Sequence, residues 1–415
     1  MPSTVTPTGA HNTGIVNTGP TIDEAPIDDA YDVIVVGARA AGAATAMLLA
    51  RRGLKVLAVD RSAYGSDTLS THSLAVAGVR QLSRWGVLDQ IREAGTPVSN
   101  TVRFHYGEQD VSIRVPARGD VDGLYSPRRT VLDSALVDRA IADGADVRHG
   151  VSMVDVTTDP TGRIDGVEID VGGGRRRITA SFVIGADGAR SRVASKVGAA
   201  VTFEEPTGAA DIYSYWEGLP ANVIENFYEP GRAAGIIPTN DGAAVVWIGL
   251  TPEKFRNVAR GNLAPTYHAL IGTFPELVER LRTATRVGGY RGFPGTPGFL
   301  REPFGPGWAL VGDASYFKDP VSAHGITDAF IGAELLADAV ADTLLCGVDE
   351  RLALGDYQRD RDEMAAAMMP PVVRIASLGS DMSEVAQSWK QMSAAMRDEY
   401  AMLDERERTR LAIAA

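Results

Sequence analysis

Residues Val33-Ile34-Val35-Val36-Gly37-Ala38-Arg39-Ala40-Ala41-Gly42 constrain this chain more than any other stretch. A β-branched run ends at a glycine and passes straight into small residues suited to a helix start. Such a run reads as a strand buried on both faces of a parallel sheet. The pattern predicts a strand over Tyr31–Val36, a helix over Ala43–Arg52 that Gly53 ends, and a strand over Lys55–Val59. Asp60 then closes a βαβ unit. An acidic residue about 20 positions beyond a Gly-rich turn is what the ribose hydroxyls of a dinucleotide require. Gly37, Arg39, Ala40, Ala41, Gly42, Asp60 and Arg61 are the candidate binders here. Arg39 takes the slot of the second glycine in G-x-G-x-x-G, so its side chain must leave the helix axis, where it can pair with a phosphate. Taken alone, this fingerprint also fits an ordinary βα turn.

Charge and composition narrow the partners. The net charge is -12 and no Lys/Arg block occurs, which argues against a nucleic-acid partner. At 415 residues, 45% hydrophobic and 23% charged, the chain suits two packed domains of a soluble protein. A single cysteine, Cys346, excludes an intrachain disulfide, and its apolar helical surroundings predict a packed core thiol. Residues 1–30 lack Lys, Arg and any sustained apolar run, so they read as a disordered tail rather than a secretory signal. Asp32 and Arg39 interrupt the apolar stretch Tyr31–Ala50, so no membrane span is expected and the expected setting is the cytoplasm.

Alternation over Val102–Val115 predicts antiparallel strands, and Thr130–Asp143 an amphipathic helix followed by a strand to Val151. Val154–Ile178 carries two strands, Ser181–Gly185 another, and Val201–Leu250 a strand-rich region with a turn at Asn240-Asp241-Gly242. Pro265–Arg282 reads helical, Trp308–Gly312 as a strand, and Thr327–Leu345 as a long helix. The chain from Asp349 onward reads helical, with a break at Pro370-Pro371. No second Gly-rich fingerprint is present, so a separate nicotinamide-binding domain is not expected.

Two later segments each deliver an Asp beside a Gly at the end of an apolar run: Gly185-Ala186-Asp187-Gly188 and Gly312-Asp313-Ala314, the latter continuing through Pro320 to His324-Gly325-Ile326-Thr327. With the opening turn, this order resembles the flavoprotein aromatic hydroxylases, the class A FAD monooxygenases, from about Tyr31 to Leu345. The resemblance implies an α/β fold: a Rossmann-like FAD-binding domain (31–103, 125–200, 291–348), an inserted β-sheet substrate domain (104–124, 201–290) and C-terminal helices (349–415). It implies FAD contacts from Asp187, Gly312, Asp313, Pro320, Gly325, Ile326 and Thr327, from Arg129 in an Arg-x-x-Leu, and from His72. His324, inside the third motif, is the candidate for proton transfer, or else a space-filling residue. Backbone N–H groups at the helix beginning near Gly325 would stabilise the negative charge of reduced flavin.

The implied reaction is NAD(P)H-dependent hydroxylation of an apolar, aromatic or polyketide-like small molecule, with O2 adding to reduced FAD as a hydroperoxide. Against the hydroxylase pattern, Ala323 replaces a usual Gly, Thr327 a usual Asn and Tyr316 a usual His. A reductase of the geranylgeranyl reductase type shares the same motifs. A flavin-dependent halogenase would want Trp-x-Trp-x-Ile-Pro, of which only Trp247-Ile248 is present. A non-catalytic FAD-binding protein is the reading from another class, with the Met-rich C-terminus as core, homodimer or partner surface.

Overall fold

A computed structural model describes residues 26–258, 262–379 and 381–414, so the expected disordered tail lies outside it up to residue 25. The chain runs through β1 (Ala30–Val36), α1 (Ala40–Arg51), β2 (Val56–Asp60), α2 (Val76–Trp85), β3 (Thr101–Tyr106) and β4 (Gln109–Arg114). There follow α3 (Arg129–Ala142), β5 (Asp146–His149), β6 (Ser152–Thr158), β7 (Ile164–Asp170), β8 (Arg175–Gly185) and α4 (Arg192–Val197). The second half holds β9 (Ala210–Glu217), β10 (Val223–Glu229), β11 (Arg232–Pro238), β12 (Ala243–Leu250), α5 (Leu263–Ile271), α6 (Pro275–Leu281), β13 (Thr285–Phe293) and β14 (Trp308–Leu310). Three long helices end it: α7 (Gly325–Cys346), α8 (Glu350–Ala376) and α9 (Met382–Ala414).

The first sheet has the parallel order β14-β8-β1-β2-β5. Strand side chains alternate between faces. Val33 and Val35 therefore enter the helical core built with α1, α2, α3 and α7, while Ile34 and Val36 enter a second core under β6, β7 and α4. Burial on both faces is the reason the run is unbroken. The second sheet has the order β13-β9-β12-β11-β10-β3-β4. Tyr213, Tyr215, Val245 and Trp247 point to one face of it; Ile212, Trp216, Val246 and Ile248 point to the other, beneath α5 and α6. The turn predicted at Asn240-Asp241-Gly242 joins β11 to β12, with Asp241 and Gly242 at φ 63° and 67°, the paired left-handed conformation of a tight hairpin.

Three expectations need correction. The break at Pro370-Pro371 is absent: α8 runs through both prolines. Each proline withdraws one helix donor, but Met368, Met369, Pro371, Val372 and Ile375 are buried on one side, and that packing holds the turn. The chain reverses instead after Ala376, where Leu378 adopts φ 52°. The single helix expected over Pro265–Arg282 is two, α5 and α6, separated around Gly272. Cys346 is exposed rather than packed. It ends α7 beyond the sheet, next to Leu345, which is 52% exposed.

Candidate active site

The turn between β1 and α1 has no room for side chains. Gly37 lies at φ 99°, and a Cβ there would sit 2.4 Å from the Ala186 carbonyl oxygen. A Cβ on Gly42 would meet the Gly37 carbonyl at 1.8 Å. Ala43 N–H makes the first helical bond, to Arg39 C=O, and no side chain caps the N–H groups of Ala40, Ala41 and Gly42 before it. Asp60 fixes the turn by accepting from Ala38 N–H at 2.9 Å and Ser62 N–H at 2.8 Å. Each of its oxygens keeps a lone pair for a further donor. Arg61, beside it, is exposed.

Arg39 does turn away from the axis of α1, and it lands on protein. Its guanidinium donates to the Ser66 carbonyl and hydroxyl and pairs with Asp133 at 2.9 Å. Arg129 holds the other oxygen of the same carboxylate at 2.9 Å. Two guanidiniums thus share one carboxylate, which leaves a surplus positive charge beside the free N–H groups of α1.

Asp187 accepts from Ser191 Oγ and from the N–H groups of Arg192 and Val193, so its carboxylate caps α4. Gly312 and Asp313 form a short 3-10 turn just beyond β14. Burial, reinforced by the charge of Asp328, raises the Asp313 carboxyl to about 6. Among the described residues no donor reaches that carboxylate. Gly325 and Ile326 open α7, whose first turn carries no side-chain cap from His324. Thr327 Oγ1 accepts from Ala75 N–H at 3.1 Å and so ties α7 to the start of α2. Pro320 begins a 3-10 turn capped by Asp319, whose second oxygen accepts from Ala209 N–H. Ala323, at φ 49°, follows in the left-handed region.

His72 is buried at φ 68°; its Nε2 lies 2.7 Å from Tyr215 Oη, and Nδ1 has no partner. Burial and the charges of Arg129, Arg128 and Arg291 hold this imidazole down at about 3, so it is neutral. Arg128 stacks over Tyr215 at 4.2 Å, and both Arg128 and Arg291 face Asp67. Asp67, Arg128 and Arg291 were not foreseen as site residues. The adjacent Arg128-Arg129 pair was the available signal; Arg291 comes from a distant strand and left none.

His324 is fully buried. Its Nδ1 is 2.9 Å from Asp328 and its Nε2 is 3.2 Å from Glu399 of α9. Beside it, Ser322 and Ala323 line a cavity of ≈ 290 Å³ that His324 does not enter. Phe104, Ile224, Ile237, Trp247, Val321, Trp389 and Met396 supply much of the wall. Of the aromatic residues of β9, β10 and β12 (Tyr213, Tyr215, Trp216, Phe227, Tyr228 and Trp247), only Trp247 lines it. The contribution of α9 was not foreseen. Arg114, Arg118 and Arg397 line the cavity as exposed residues, no acid lines it, and none of the three arginines has an ion-pair partner among the described residues.

These residues fit FAD. The crowded glycines, the uncapped N–H groups of α1 and the shared Asp133 suit a pyrophosphate. The donor-free Asp313 suits a sugar hydroxyl. FAD, when bound, supplies two-electron redox chemistry to the protein.

Comparison with known proteins agrees. The model of the FAD binding domain family matches residues 30–370. The menaquinone reductase of Mycolicibacterium smegmatis is 30% identical over 312 residues, covering 71% of this chain and 72% of its own. The rifampicin monooxygenase of Streptomyces venezuelae is 26% identical, over 74% of this chain and 64% of its own. The flavin-dependent brominase Bmp2 shares the fold with TM-score 0.74 at 18% identity, over 91% of this chain and 100% of that one. The chain belongs to the FAD binding domain family and is an FAD-dependent oxidoreductase.

Proposed function

We propose that the protein reduces an elongated, mostly apolar, unsaturated molecule bearing an anionic group, with NADH or NADPH as the electron source. The observation that carries the substrate class is the ≈ 290 Å³ cavity, apolar within and lined at its exposed side by three arginines that have no ion-pair partner among the described residues, Arg118 of them stacking over Tyr400. Apolar walls take an apolar body, and guanidiniums without an acidic partner take a carboxylate or phosphate. The wall formed by Val321, Ser322 and Ala323 brings the substrate beside the loop on which the family resemblance puts the flavin. Similarity to a menaquinone reductase supports reduction as the reaction. So do the departures at Tyr316, Ala323 and Thr327 from the hydroxylase pattern. Two electrons and one proton come from NAD(P)H and a second proton from solvent, giving the saturated product and NAD(P)+.

Hydroxylation with O2 is the second reading. Similarity to a rifampicin monooxygenase favours it, and so does the mostly apolar cavity wall, since water promotes wasteful breakdown of a reactive oxygen adduct. One experiment separates the two. FAD-loaded protein is reduced under anaerobic conditions and mixed with geranylgeranyl phosphate. Reoxidation of the flavin without O2 supports reduction. Reoxidation only with O2, coupled to an oxygenated product, supports the second reading.

A further inference from the structure

Four charged side chains meet where the loop before α7 touches α9. Lys318, His324, Asp328 and Glu399 have side-chain exposures of 1%, 0%, 9% and 3%. Lys318 Nζ bonds Asp328, and His324 Nδ1 lies 2.9 Å from the other oxygen of that carboxylate. On its far side His324 Nε2 is 3.2 Å from Glu399 Oε2. The set is neutral as a whole: two cations against two carboxylates. Each charge is expensive to bury unless the others stay. Lys318 already offsets Asp328, so Glu399 is the anion left to compensate a charged imidazole. The His324–Glu399 contact is an ion pair by distance without hydrogen-bond alignment, and among the described residues no other cation pairs with the Glu399 carboxylate. Glu399 comes from α9, one helical turn from Met396 and next to Tyr400, both of which line the cavity.

We propose that Glu399 is a positioning residue for the cofactor loop: it keeps His324 doubly protonated and clamped to α9, and thereby sets how readily the bound flavin accepts electrons. This rests on the reading that the loop from Lys318 to His324 faces the flavin. The groups facing the imidazole are Lys318 on the loop, Asp328 on α7 and Glu399 on α9, with Tyr316 against Lys318. Burial opposes charge on the ring; Glu399 and then Asp328 outweigh it and lift His324 to about 9. With Glu399 neutral, burial prevails and the ring loses its proton. The ring's positive charge on the loop and the carboxylate's negative charge on α9 then vanish together; with the loop facing the flavin the lost cation is the nearer of the two, and reduced flavin, which is anionic, becomes harder to form.

The test uses full-length FAD-loaded protein and two readouts. The first is the protonation state of His324 at pH 7.5 by NMR of histidine-labelled protein. The second is the flavin midpoint potential of the wild type, Glu399→Gln, Glu399→Asp, His324→Gln and the double variant. Expected is a charged ring in the wild type and in Glu399→Asp, and a neutral ring in Glu399→Gln. Glu399→Gln should weaken flavin reduction by about tenfold, equal to about 30 mV for a two-electron couple. His324→Gln should lower the potential further, because Glu399 is left unpaired, and the double variant should return to the Glu399→Gln value. A ring that stays charged in Glu399→Gln, with an unchanged or raised potential, overturns the proposal. A ring that loses its charge while every potential stays at the wild-type value also overturns it, by showing that this loop does not face the flavin. Variants that retain no FAD while the wild type does count against a positioning role, since the cluster would then be required for binding itself.

Discussion

Several carboxyls in this protein are raised above their ordinary range by burial, and Glu205 is the clearest. It is 3% exposed, and the one hydrogen bond its carboxyl accepts among the described residues comes from Gly298 N–H. Burial raises its carboxyl to about 7, with the charge of Asp319 adding to the effect against the Gly298 donor. A folded-state value above the ordinary 4.5 means that the folded chain holds the proton more tightly than the unfolded one. The stability this group contributes is therefore present below about pH 4.5 and is lost as pH rises to about 7. Glu205→Gln keeps the oxygen that accepts from Gly298 and cannot ionise. It should match the wild type in thermal melts at pH 4 and exceed it at pH 8 by on the order of 1 kcal/mol. Equal stability at pH 8 would show that Glu205 is ionised there without cost. Asp313 does not interact with Glu205 and cancels in the comparison, whereas the fall of the Asp319 carboxyl once the Glu205 charge is gone is part of the measured difference.

At the scale of elements, the βα turn is the part of the nucleotide site that sequence reads best, because its demand is steric and local. Gly42 lies in α1 with the Gly37 carbonyl 1.8 Å from where a Cβ would be. Gly42→Ala must push α1 off β1. The expected cost is about 2 kcal/mol in denaturant unfolding, together with less FAD retained on purification. Full FAD content at wild-type stability would refute this account of the turn. What stayed hidden in the sequence was long-range pairing. Arg39 could be seen to leave the helix axis, yet nothing local named Asp133 as its partner, 94 positions away. The helical character of α8 was legible, but the prolines at 370 and 371 outweighed it on propensity alone. Burial of Met368 and Met369 decides that case, and burial is a property of the assembled fold. Cys346 shows the opposite failure: an apolar local pattern continued past the point where α7 has anything to pack against.

For the whole molecule, the cavity belongs to no single element, and this explains why local sequence patterns did not reveal its walls. Phe104 and Val102 come from β3, Trp247 from β12, Val321 from the cofactor loop, and Trp389 and Met396 from α9. Trp389 closes the assembly by packing on Phe104, with ring centroids 4.9 Å apart, and on Tyr228 at 6.3 Å. A site built this way can be filled without touching the nucleotide turn. Val102 is half-buried on β3, an aromatic residue suits a strand there, and its side chain faces the open volume. Val102→Trp should therefore occupy the cavity while leaving Gly37, Gly42 and Asp133 undisturbed. The expected outcome is wild-type FAD content and an unchanged melting temperature. Substrate-dependent flavin reoxidation should fall at least tenfold, since an interior at close packing does not yield to an added ring system. Unimpaired turnover would move the substrate site elsewhere. Loss of FAD would mean that the two sites are one continuous groove whose walls cannot be altered separately.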